Sequence, residues 1–231
     1  MLYGTSRHHN RRDPFEELIF IILSAQTEWY LYRETFKDLR RRFRTRGSLL
    51  AAPEAEIASV IQRGGLAHKK ASQLKRALEK ISADTGRLSL SFLRGLPDEK
   101  VREYLTSLPG IGNKSASCIM MYSLDRKVFP VDTHVWRVSR RLGVAPAVPK
   151  PTVLQELELE KKVPPSIRYS LHVNLVSHGQ QICTTYWPKC SECKVNKICP
   201  SRDKPDDVWG KWRQPAGVWA KALRRNVVDR R

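Results

Sequence analysis

From residue 14 onward, apolar side chains recur at spacings of three and four, the period of a helix with one buried face, and no stretch sustains the alternation of a strand. The pattern predicts an all-α fold. The first helix opens at Asp13-Pro14-Phe15-Glu16, with Asp13 as N-cap, Pro14 at the first helical position and Glu16 placed to complete a capping box. Leu18, Ile19, Ile21, Ile22 and Leu23 make it apolar nearly all round, as a central helix must be, and it ends near Ser24-Ala25-Gln26-Thr27. A second helix buries Tyr32, Phe36, Leu39 and Phe43, exposes Arg40, Arg41, Arg42 and Arg44, and stops at Gly47. A short helix over about 53–62 is closed by Gly64-Gly65, and a basic amphipathic helix over about 68–82 carries Ala71, Leu74, Leu78 and Ile81 on one stripe. Residues 88–96 read as a short helix or a loop.

The most informative stretch is Leu108-Pro109-Gly110-Ile111-Gly112-Asn113-Lys114-Ser115-Ala116. The helix opened by Asp98, with Val101 and Leu105 inward, must stop at Pro109, turn tightly through two glycines and restart at about Asn113. That is a helix, a hairpin and a helix. Gly110 and Gly112 let the backbone approach a partner, and the N–H groups at the new helix start suit a phosphate, with Asn113 and Lys114 in the first turn. This helix runs to about Ser123. Asp132, in Val131-Asp132-Thr133-His134, then caps a helix with Val135, Val138 and Leu142 that is closed by Gly143. Pro-rich segments at 146–151 and 163–165 bracket a helix with Val153, Leu154 and Leu157, and a last helix over about 166–180 leads into the cysteines.

Composition narrows the partners. Lys plus Arg number 42 against 23 Asp plus Glu in 231 residues, a formal net charge of +19 spread along the chain. Such a surface seeks a polyanion, nucleic acid first and an anionic membrane second. The longest apolar run, 18–23, is too short to span a bilayer, and the polar, His- and Arg-rich N-terminus lacks the pattern of a secretory signal. The expectation is an intracellular protein with no membrane partner. Cys118 stands alone in an apolar helix and reads as a small buried side chain. Cys183-x6-Cys190-x2-Cys193-x5-Cys199 supplies four thiolates that, in a reducing compartment, point to a metal, either zinc or a [4Fe–4S] cluster. Spacing alone leans to zinc. Lys189, Lys194, Lys197 and Arg202 surround that loop and offer charge to a phosphate backbone.

A lysine and an aspartate on successive helix starts in a basic chain suggest chemistry at a sugar carbon of DNA. Lys114 would attack C1′, displace the base and leave a Schiff base from which β-elimination breaks the strand. An ordinary lysine, with pKa about 10.4, is neutral in only roughly one molecule in 10³ to 10⁴ at pH 7, so the site must favour the free amine. Asp132 would stay ionised, stabilising positive character at C1′ and accepting a proton.

The hairpin Leu-Pro-Gly-Ile-Gly-Asn-Lys-Ser-Ala, then Val-Asp-Thr-His, then His178-Gly179 ahead of the four cysteines, in this order, resemble the endonuclease III branch of the helix-hairpin-helix DNA glycosylases over about residues 14–200. The resemblance implies a six-helix barrel domain over 14–126, a [4Fe–4S] cluster domain over 127–231 together with 1–13, and a DNA groove between them. It replaces zinc by the cluster, on Cys183, Cys190, Cys193 and Cys199. It implies a monomeric glycosylase and AP lyase for oxidised pyrimidines in double-stranded DNA, acting on a damaged base or abasic site in the cytoplasm or nucleoid of a prokaryote. Lys114 falls on the family's Schiff-base lysine and Asp132 on its catalytic aspartate. Gln26 matches the residue that fills the gap left by the extruded nucleotide, and Leu66 matches the wedge in the opposite strand. Both offset the cost of taking a base out of the stack.

The chain also departs from the family. Glu28-Trp29 stands where Thr-Asp is more usual, Asn113 replaces a basic residue, and the segment before Pro14 is short. Trp209, Trp212 and Trp219 in the C-terminal tail are expected to pack on the cluster domain. The alternatives are a mismatch uracil or thymine glycosylase of the same superfamily and a catalytically silent DNA-binding or redox-sensing cluster protein. An adenine glycosylase fits poorly, since Ile21 stands where that branch carries a catalytic glutamate.

Overall fold

Helix α1 (Pro14–Ser24) is buried along almost its whole length, with Phe15, Leu18, Ile19 and Leu23 fully enclosed. Each such side chain contributes about 1.5–3 kcal/mol by leaving water. In the computed structural model, which describes residues 10–202, α1 packs against α2 (Trp29–Arg42), α5 (Ala67–Thr85) and α7 (Asn113–Ser123). Around this core lie α3 (Arg46–Ala51), α4 (Glu54–Ile61) and α6 (Asp98–Ser107). The described residues are all-helical, without a strand, and none of their helices is long and apolar enough to cross a membrane.

Two compact units emerge. Among the described residues the first comprises 10–130 with 162–172, and the second 131–161 with 173–202. Residues 10–12 are tied into the first, where Ser123 Oγ donates to the Arg11 carbonyl and Arg94 Nη2 donates to that of Arg12. The second unit is built on α8 (Thr133–Arg141), α9 (Val153–Lys162) and the larger part of α10 (Arg168–Gln181). Trp209, Trp212 and Trp219 lie outside the described residues.

Local chemistry explains most boundaries. Asp13 Oδ1 accepts from the N–H groups of Phe15 (2.8 Å) and Glu16 (3.1 Å), as an N-cap does. Glu16 does not face the cap. Its carboxylate lies 3.4 Å from both Arg40 and Arg46. A full capping box forms instead at Thr45 and Ser48, and it starts α3 across Gly47, where the sequence had suggested a stop. Residues 91–95 are a 3₁₀ turn that buries Leu93.

In the second unit, α8 buries Val135, Trp136 and Val138, yet Arg137, Arg140 and Arg141 on the same helix are buried as well. Arg137 Nη2 donates to the Gly179 carbonyl at 2.6 Å. A Cβ on Gly179 would stand 2.8 Å from His134 Cβ, so the two helices meet at a residue that must lack a side chain. In an open helix, Gly→Ala would stabilise by about 0.5–1 kcal/mol. Here Gly179→Ala is expected to lose about 1–3 kcal/mol by overpacking, read as a lower urea midpoint at unchanged slope. A variant more stable than the parent would show that the helices are not in close contact at this point.

Candidate functional site

The hairpin is built as the sequence pattern suggests. Helix α6 ends at Ser107, the Ile111 N–H closes the turn on the Leu108 carbonyl at 3.1 Å, and α7 begins at Asn113. The two glycines differ in purpose. Gly110 has φ +85°, and a Cβ there would strike Gln73 of α5 at 2.9 Å, so the fold itself demands it. Gly112 is the N-cap of α7, is exposed, and has no atom within 4 Å of where a Cβ would sit. Its missing side chain leaves open backbone at a helix start, where the positive end of the dipole favours an anion. Asn113 is engaged within the protein, since its amide oxygen accepts from Arg102 Nη1 at 2.8 Å, and the same nitrogen donates to Ser117 Oγ at 2.6 Å.

Lys114 is half-buried in the first turn of α7. Its charge reaches two groups of α1 and α2, drawing down the pKa of Glu17 and of Tyr32. In both, burial has the larger effect. It pushes Tyr32 up from its ordinary value and Glu17 up to about 7. The Glu17 side chain is fully enclosed and accepts from Asn10 Nδ2 at 2.5 Å and from the Arg11 N–H at 2.6 Å. Sequence reading passed over Glu17. The signal was there, because an acid inside a helix apolar on all faces has no solvent to turn to.

Asp132 belongs to the second unit, where it caps α8. Its Oδ1 accepts from the Val135 N–H at 2.7 Å and the residue is half-buried. The expected N-cap is therefore present.

Gln26 and Leu66 lie on separate loops, both exposed and both in the left-handed region at φ 51°. Fully buried Lys70, another residue that the sequence reading missed, joins those loops. Its ammonium donates to the carbonyls of Leu23 and Gly64, each at 2.8 Å, and to Thr27 Oγ1 at 2.5 Å. A lysine amid the apolar stripe of α5 was the available signal.

Cys183, Cys190, Cys193 and Cys199 line one pocket. Each thiol raises the cost of ionising Cys199, although burial contributes most to its raised pKa. Arg141 Nη1 donates to Cys183 Sγ (3.2 Å) and to the Thr184 carbonyl (2.7 Å), while Arg137 Nε holds the Cys183 carbonyl at 3.0 Å. His178 Nε2 lies 3.7 Å from Cys193 Sγ, and burial followed by the Arg137 charge lowers its pKa. Lys189 is exposed, and its backbone N–H closes the loop on Ile182 at 2.9 Å. Among the described residues no three His, Cys, Asp or Glu side chains converge as ligands of a single metal ion. Four thiols lining one pocket are a donor set for a thiolate-bound metal group.

Residues 19–165 match the HhH-GPD superfamily base excision DNA repair protein model. Endonuclease III of Buchnera aphidicola subsp. Baizongia pistaciae is 34% identical over 190 residues, covering 82% of this chain and 83% of the relative. DNA glycosylase/AP lyase ROS1 of Arabidopsis thaliana is 33% identical over 168 residues, 66% of this chain and 12% of the relative. The chain spans less than two thirds of the length of the Arabidopsis relatives first matched. A solved endonuclease III–DNA complex, trapped as a covalent intermediate, superposes with a TM-score of 0.76 at 28% identity, over 88% of this chain and 91% of the other.

The Glu17 pKa gives a signed expectation. A carboxyl with folded pKa about 7 against an ordinary value of 4.5 binds more protons folded than unfolded between those pH values. Its contribution to stability is full below pH about 4.5 and is lost as pH rises through about 7. Relative to the parent, Glu17→Gln should gain stability across that window, by up to about 3 kcal/mol, and level off above it. Urea unfolding of both proteins at pH 4.5, 6 and 8 reads the difference, and a pH-independent gap would mean that Glu17 is not perturbed.

Proposed function

The chain belongs to the HhH-GPD superfamily of base excision DNA repair proteins, on its endonuclease III branch, and from that premise we propose that it is a DNA glycosylase with AP lyase activity toward oxidised pyrimidines in duplex DNA. The observation that carries the reading is the hairpin: a lysine in the first turn of α7, beside an exposed glycine whose missing side chain the fold does not require. In the proposed reaction the Lys114 amine forms a bond to C1′ as the glycosidic bond breaks and the base departs with a proton. Opening of the sugar leaves an imine between the lysine nitrogen and C1′, and loss of a C2′ proton expels the 3′-phosphate by β-elimination. To Asp132 we assign the stabilisation of the positive charge that develops at C1′.

Burial holds Glu17 toward its neutral form, and the Lys114 charge acts on it in the opposite direction. Cys183, Cys190, Cys193 and Cys199 would hold a [4Fe–4S] cluster, which when bound supplies an electron-transfer centre and a covalent knot for the loop. Arg137 and Arg141 keep that loop in place from α8 by donating to its carbonyls. Exposed Lys189 offers a phosphate contact from the loop.

Borohydride reduction in the presence of abasic-site DNA should trap a covalent complex with the parent protein and none with Lys114→Ala, and strand cleavage in that variant should fall below detection. Undiminished trapping by Lys114→Ala would remove the mechanism. Asp132→Asn keeps an oxygen to cap α8, so the fold and DNA affinity should persist while turnover falls at least about 100-fold. Full turnover would deny Asp132 its role. DNA affinity should fall with salt, with a log–log slope of about −0.9 per phosphate contacted, and a flat response would mean that the net charge of +19 does not bind the backbone.

A further inference from the structure

We propose that Lys70 is the positioning residue for Gln26 and Leu66, locking their two loops into one rigid unit so that both side chains enter a duplex together. The inference rests on the reading of those two residues as the ones that occupy the space left by an extruded nucleotide.

Lys70 is 1% exposed, and its three hydrogen-bond partners are all neutral: the Leu23 carbonyl at the end of α1, the Gly64 carbonyl ahead of Leu66, and the Thr27 hydroxyl next to Gln26. An ammonium has three N–H groups, and each has an acceptor. Thr27 Oγ1 in turn donates to the Gly64 carbonyl at 2.6 Å, so the two loops meet at a single polar node. A buried cation without a counter-ion is a costly way to fill space, since an apolar side chain of that length would pack without desolvating a charge. What the ammonium does that an apolar side chain cannot is hold three oxygens from two loops at fixed separation.

The backbone of both loops shows why such a hold is needed. Gln26 and Leu66 both have φ 51°, a region that a bulky side chain enters at a cost and keeps only where its surroundings over-determine it. Neither side chain supplies that constraint, because both are exposed. The node lies two residues or fewer from each of them: Thr27 follows Gln26 directly, and Gly64 precedes Leu66 by two. Burial draws the Lys70 pKa down to about 8, which leaves the three-proton form in the majority at neutral pH.

Lys70→Met keeps the length of the side chain and removes all three donors. The test compares it with the parent, Gln26→Ala, Leu66→Ala and the double variant Lys70→Met/Leu66→Ala. The readouts are thermal unfolding, single-turnover base excision from a thymine-glycol duplex, cleavage of single-stranded abasic DNA, and fluorescence of 2-aminopurine placed beside the lesion. The expected result is a folded Lys70→Met whose duplex excision and 2-aminopurine signal fall about 10- to 100-fold while single-stranded abasic cleavage stays within about threefold of the parent. Such cleavage needs no residue to fill a gap in a stack. The double variant should be no worse than the more impaired single, because a displaced wedge has little left to lose. Parent-like excision by Lys70→Met, equal losses on both substrates, or fully multiplicative losses in the double variant would each overturn the proposal. Loss in Leu66→Ala and Gln26→Ala without loss in Lys70→Met would sink the positioning role and leave their insertion standing. No loss in Leu66→Ala and Gln26→Ala would sink the premise and the proposal with it. If Lys70→Met fails to fold, Thr27→Val, which deletes the hydroxyl joining the loops, is read by the same criteria.

Discussion

A helix enclosed by other helices cannot hand the unpaired groups at its ends to water, and this constraint organises the first unit. Each of the last four carbonyls of α1 has a named donor: Ser24 Oγ for Ile21, the Ala25 N–H for Ile22, Lys70 Nζ for Leu23, and the Thr27 N–H for Ser24. Asp13 serves the other end. The chain leaving α1 is thus drawn tight by the same bonds that complete the helix, and Gln26 rides on that segment. Satisfying a buried helix end and fixing the place of an exposed side chain are here one piece of geometry.

Much of the fold was legible because helices announce themselves through spacing and caps. Asp13, the Pro-Gly-x-Gly turn and Asp132 all act where the pattern put them, and α7 and α8 begin at or next to the residues expected. What the pattern could not give was the direction in which polar side chains turn. Glu16 fits a capping box by position but meets Arg40 and Arg46, a contact between distant stretches that no local rule contains. Gly47 looked like a helix stop, yet the Thr45–Ser48 pair that flanks it is the stronger local signal. Arg137 and Arg141 of α8 are buried against the cysteine loop, which the local pattern does not show.

The candidate site divides along the same line. Residue types and order single out Lys114, Asp132 and the four cysteines as candidates, and these lie in the first turn of α7, at the cap of α8 and around one pocket. Cysteine spacing alone leans to zinc and the family resemblance to a cluster, since spacing along the chain does not say whether four sulfurs share a centre. They line one pocket without converging, held by arginines whose donors go to backbone carbonyls at Cys183, Thr184 and Thr185.

Glu17 and Lys70 complete the argument from the side of cost. Both are titratable groups enclosed in the core around α1, and burial moves each toward its neutral form, Glu17 up to about 7 and Lys70 down to about 8. Packing alone would favour an apolar residue at either position. Their partners show the difference between the two. Lys70 gathers three neutral oxygens from separate backbone segments, whereas Glu17 accepts from Asn10 and Arg11 and feels the charge of Lys114. One buried group ties backbone segments together, and the other can change charge inside the core. A core that tolerates both has traded stability for a fixed geometry at the ends of α1.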